Sequence, residues 1–176
     1  MARPTKSTHA VSMKAASLAE IKKRLVKLEQ GEMLEACLRL ARFKRDNKEL
    51  LTYLLFAAED EKAYMASLCA EIDEQFETMN KTSLYYAKKS IRKTIRWMEK
   101  FIRYSGNKET EIEVRIHFCK TLHASNVPIH KSKVTWNMLQ SQLKKINKAL
   151  ATFHPDIQYE YNNEIERIIK GFERLA

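Results

Sequence analysis

The side chains able to do covalent or metal chemistry are few and scattered. The 176-residue chain holds three cysteines, Cys37, Cys69 and Cys119, and five histidines, His9, His117, His123, His130 and His154. Cys119 and His123 stand four residues apart, on one face of a helix, whereas His117 points about 120° away from His123. Two ligands do not make a zinc site, which takes three or four. Cys119 also falls in the apolar arc of Ile112, Ile116, Phe118 and Leu122, the setting of a core thiol. No Cys-x-x-Cys pair occurs, and none of the Glu-x-x-His motifs of di-iron bundles. Glu113 and His117 have the wrong spacing and are expected to face solvent. The acidic runs Glu59-Asp60-Glu61 and Glu71 to Glu77 are expected on solvated helix surface, not paired in a pocket as acid–base work requires. There is no Gly-x-Ser-x-Gly elbow. The three glycines, Gly31, Gly106 and Gly171, are too far apart for a dinucleotide fingerprint or a phosphate loop. Together these exclusions predict a non-enzymatic protein with no catalytic residue, no cofactor and no metal.

Charge is where the residue types do concentrate. The formal net charge is +10, and it is unevenly spread. Residues 1–28 carry +6, residues 57–79 carry −6, and residues 80–105 carry +7. Within the last of these, Lys88, Lys89, Arg92, Lys93, Arg96, Lys100 and Arg103 fall within about 140° of a helical wheel. Leu84, Ala87, Ile91, Ile95, Met98, Phe101 and Ile102 take the other side, and Tyr86, Trp97 and Tyr104 lie at one seam. A basic ridge edged by aromatics suits phosphate neutralisation and base stacking. These seven bases and Trp97 are therefore the candidate nucleic-acid-binding residues. The competing expectation is a solvated face partly neutralised by the acidic helix just before it.

The elements that must position these groups are helices. Glycine scarcity argues against turn-rich β architectures. Ser17 and Glu20 have capping-box spacing and predict a first helix to about Gln30, ended by Gly31. A second is predicted from about Glu32 to Phe43, and a short apolar third capped by Asp46 or Asn47. Further helices are predicted over about 60–79, 83–104, 108–123 and 134–153. The last starts at Pro155 and gathers Ile157, Tyr161, Ile165, Ile168, Ile169, Phe172 and Leu175 within about 120°. The segment 124–132, with Pro128, is the one evident internal loop. Residues 1–16 read as a flexible basic tail, and 17–176 as a single all-α domain of about eight antiparallel amphipathic helices, an irregular bundle or short solenoid. No apolar run reaches the ~18 residues of a membrane span. The start of the chain lacks a signal-peptide apolar core, and the odd, widely spaced cysteines suit reduced thiols. The expected setting is the cytoplasm, without a membrane partner.

Two resemblances add context. His154-Pro155-Asp156, led into by Lys144, Lys145 and Lys148, resembles the signature of J-domain co-chaperones over about forty residues. It departs from that pattern in Ile157-Gln158, where the family has a base, and in lacking a separate short helix and loop before the basic helix. FKRDNKELLTYLLF (43–56), EIDEQF (71–76), YYAKKSIRK (85–93), FIRYSG (101–106) and IHKS (129–132) together resemble a set of small all-helical bacterial proteins with no assigned function. That resemblance implies a bacterial cytoplasmic protein and supplies no catalytic residue. The functional expectation is a helical binding module that docks another protein, with nucleic-acid binding along 83–104 as the alternative and a J-like co-chaperone as the second.

Overall fold

The structure, a computed structural model, describes residues 14–174. Among the described residues every regular element is helical, as the residue pattern predicts. Eight α-helices are present: α1 Leu18–Leu25, α2 Gln30–Phe43, α3 Arg45–Thr52, α4 Glu61–Glu77, α5 Leu84–Ser105, α6 Lys108–Ala124, α7 Lys133–Leu150 and α8 Pro155–Glu173. A π-helical turn, Tyr53–Ala57, continues α3, and a 3-10 turn, Ile129–Lys131, lies in the predicted loop. Residues 1–13 of the predicted tail, and Leu175 of the predicted last helix, lie outside the described residues. The chain divides into two compact units, Met1–Glu49 and Leu50–Ala176, with the division inside α3.

In the first unit, α1 starts at the expected capping box. The Glu20 N–H donates to Ser17 Oγ at 3.3 Å, and the Ser17 N–H donates to the Glu20 carboxylate at 2.8 Å. The helix stops at Leu25, earlier than predicted, and Gly31 lies inside α2 instead of ending α1. The cause is a second reciprocal start: the Glu29 N–H donates to the Glu32 carboxylate at 3.1 Å and opens α2 ahead of the glycine. α3 likewise begins before the predicted Asp46 or Asn47 cap. Extended backbone at Lys44 (φ −142°, ψ 145°) breaks the chain there. The Asn47 amide instead reaches back to the Leu40 carbonyl at 2.9 Å.

The second unit is built on side-chain caps at expected places. Asp60 accepts from the Ala63 N–H at 2.9 Å, Ser83 from Tyr86 at 3.4 Å and Asn107 from Glu109 at 2.8 Å. Gly106 ends α5 with φ +66°, a left-handed conformation that glycine adopts without a Cβ penalty. α6 is the centre. It packs against α4, α5, α7 and α8, so this unit is a bundle around one helix, not a stack in which each element meets only its neighbours. α6 is buried over most of its circumference: Ile112, Val114, Ile116, Phe118, Cys119 and Leu122 are buried, and so are Thr110 and Arg115, while Glu109, Lys120 and Ala124 keep one narrow strip exposed. The apolar arc expected for it is buried, and burial extends beyond that arc to Thr110, Val114 and Arg115.

Cross-helix contacts give the directions. Tyr64 to Phe101 (3.0 Å) and Thr94 to Gln75 (2.8 Å) make α4 and α5 antiparallel. α4 and α6 run the same way, since Glu61 meets Thr110 and Asp73 meets Thr121. Glu61 ties three helix ends together, accepting from Tyr53, Ser105 and Thr110. Phe76 of α4 and Phe118 of α6 meet edge to face at 5.7 Å between ring centroids. Phe118 is fully enclosed. Phe118→Ala is expected to lower unfolding free energy by about 3–5 kcal/mol, read in a denaturant titration.

Candidate functional site

α5 turns its apolar stripe inward, with Ala87, Ile91, Thr94, Met98 and Ile102 buried. The candidate bases follow from that rotation. Lys89, Arg92, Lys93, Arg96 and Arg103 are exposed, whereas Lys88 and Lys100 are half-buried. Trp97 is half-buried against the core and stacks on Phe101 at 4.8 Å between centroids. The freely exposed rings on this helix are Tyr85 and Tyr86, at its start, which meet edge to face at 5.4 Å. The Lys88 ammonium lies 5.9 Å from the Tyr85 ring centroid. Tyr85 was not singled out from the sequence. Its wheel position, beside the bases and away from the core stripe, was the available signal.

Among the described residues, Lys88, Lys89, Arg92, Lys93, Arg96 and Arg103 make no ion pair. The acids of α4 are directed elsewhere. Asp73 Oδ1 lies 2.8 Å from His117 Nε2 and 3.0 Å from Thr121 Oγ1, both on α6. Glu71 accepts from Gln75 at 2.9 Å. The α4–α5 contact runs instead through Tyr64 and Gln75.

The one acid of α5, Glu99, lies at the edge of the basic face, between Lys88 and Arg92 on the wheel. It pairs with Lys145 of α7 and lies 3.6 Å from the guanidinium of Arg115. Arg115 is 5% exposed, and Glu111 holds it at 3.1 Å while Gln142 accepts from its other nitrogen. Burial raises the Glu99 carboxyl, but the Lys145 hydrogen bond, its charge, Gln142 and Arg115 outweigh it and hold the group below its ordinary value. Glu111 is held low in the same way, with burial opposed by Lys108 and Arg115. Beside this network a shallow groove of about 300 Å³ runs between α5 and α7, lined by Ile95, Glu99, Val134, Met138 and Gln142 among others.

Glu113 and His117, expected in solvent, are half-buried and engaged: Glu113 accepts from Tyr161 of α8 at 2.5 Å, and His117 meets Asp73. His123 stacks edge to face on Phe172 at 5.0 Å, and its ring fills the space where a Cβ on Gly171 would sit. Cys119 and Cys69 are poor nucleophiles. Burial pushes Cys119 up to about 12 against the pull of Arg115. Burial, with the charges of Asp73 and Glu113, pushes Cys69 up to about 11. Among the described residues no group of three or more His, Cys, Asp or Glu side chains could hold a metal ion, and no helix is long and apolar enough to cross a membrane. His154 caps α8, accepting from the Asp156 N–H at 3.4 Å, with Pro155 in the first turn. The tripeptide thus serves as a helix start.

A second surface was not singled out from the sequence. From Lys14 to Glu49 no described residue is buried. Leu18, Ile21 and Leu25 of α1, and Met33, Leu34, Leu38 and Leu40 of α2, are exposed. No protein-family model, curated protein or solved structure matches the chain.

The Arg115 network predicts a pH dependence. Folded-state values of Glu99 and Glu111 lie below the ordinary 4.5, so in acid the unfolded chain binds more protons. Their contribution is complete above the unfolded value and is lost as pH falls through the folded one. Glu99→Gln is therefore expected to flatten the decline of stability with pH below about 4.5, measured by urea unfolding at stepped pH.

Proposed function

We propose that the chain is a non-enzymatic interaction module that docks a protein surface through the apolar faces of α1 and α2. The supporting observation is that these helices, of 8 and 14 residues, bury nothing in their own unit while presenting large aliphatic side chains. Isolated helices of that length are marginal in water, and a contiguous exposed apolar face marks an interaction site. Free thiols at Cys37, Cys69 and Cys119 suit a cytoplasmic setting. A photo-reactive amino acid at Leu38 is expected to give a discrete cross-linked adduct in cells, and the same group at Arg39, on the polar face, is not. No adduct from Leu38 would overturn the reading.

A second reading has its own support. The exposed bases of α5 make no ion pair among the described residues, and Tyr85 and Tyr86 stand at the end of the ridge, an arrangement suited to a nucleic-acid backbone. Affinity for RNA or DNA should fall linearly in log–log form with salt, by about 0.7–0.9 per neutralised phosphate. Arg92→Glu with Lys93→Glu and Arg96→Glu should abolish retention on heparin while leaving the helical circular dichroism intact. Wild-type protein that passes through heparin at low salt ends this reading.

A further inference from the structure

We propose that the surface docked by α2 is the α2 of a second copy of this chain, packed antiparallel about a two-fold axis. The inference rests on the docking reading above and names its occupant.

Four observations point to it. On a helical wheel Leu34, Cys37, Leu38 and Ala41 form one stripe, of which Leu34 and Leu38 are exposed and Cys37 and Ala41 half-buried. Glu35 and Arg42 are both exposed, and they lie on one edge of that stripe, seven residues and so about two turns apart. In an antiparallel pair, residues at one flanking position face each other across the seam. A register centred between Leu38 and Arg39 sets Glu35 opposite Arg42 of the partner copy. Two-fold symmetry then makes the same pair twice.

The wider charge order agrees. The first half of α2 carries Glu32 and Glu35, and its second half Arg39 and Arg42. That order suits the helix's own dipole, and it also makes the helix complementary to its reversed copy. At the junction of α2 and α3 a hollow of about 480 Å³ is lined by Leu38 and Ala41 and by the bases Arg42, Lys44, Arg45 and Lys48, of which Arg45 is paired with Glu49 at 2.8 Å. An apolar lining beside bases fits an apolar helix face with an acidic shoulder. The first half of α2, with Leu34 between Glu32 and Glu35, has that character.

The test uses the full chain in sedimentation velocity over a concentration series. Wild type is expected to show a monomer–dimer equilibrium. Glu35→Arg and Arg42→Glu, each alone, replace two attractions by two repulsions and should weaken the dimer by about tenfold. An equimolar mixture of the two single variants should recover the dimer as a heterodimer, and the double variant should recover it as a homodimer. Circular dichroism checks that each variant keeps its helices. A dimer that ignores these swaps overturns the antiparallel α2 pairing. A chain that stays monomeric while the Leu38 probe cross-links a different protein overturns the second copy and leaves the docking reading standing. A chain that stays monomeric and gives no adduct removes both.

Discussion

A buried guanidinium organises the larger unit. Arg115 sits on the buried side of α6, the central helix, and a charge there is tolerated only if its hydrogen bonds are met. Glu111 supplies one partner from the same helix, Gln142 reaches in from α7, and Glu99 from α5. The apolar stripe of α5 turns inward, Glu99 at the edge of the basic face reaches Arg115 and Lys145, and the bases run along the outward arc.

The two units solve their burial problem differently. Residues 50–176 enclose their apolar groups around α6, with caps at Asp60, Ser83 and Asn107 stopping and starting the helices. Residues 14–49 form helices with good ends and apolar stripes, yet none of their side chains is buried. Helix propensity and capping contribute about 1 kcal/mol or less each. Tertiary packing supplies most of a short helix's stability. A second surface over α1 and α2 would supply what their own unit does not.

Much of the candidate ridge was legible from residue spacing. The start of α5 at Ser83, its end at Gly106 and the separation of bases from aliphatics all follow from local rules, because a 22-residue amphipathic helix carries several turns of consistent pattern. The destination of the acids in α4 was not legible. A wheel places Asp73 and Glu71 on a polar side but does not say which helix lies there. The pairing of Asp73 with His117, and of Glu113 with Tyr161, depends on α4 and α8 flanking α6. Trp97 stands at the seam on the wheel as expected, and contact with Phe101 draws it toward the core.

By itself the residue pattern determined the all-helical class, the main breaks between helices, the face of α5 that carries the bases and the status of Cys119 as a core thiol. These are properties of contiguous chain, set by propensity, capping chemistry and a 3.6-residue period. Tertiary structure decided that α6 is the centre, that α4 and α6 run in the same direction, that Lys88, Lys89, Arg92, Lys93, Arg96 and Arg103 make no ion pair among the described residues and that the first two helices bury nothing in their unit. Each of these depends on which surfaces meet, and packing of that kind is settled by contacts between residues far apart in the chain, where a periodic pattern within one helix carries no information about its neighbour.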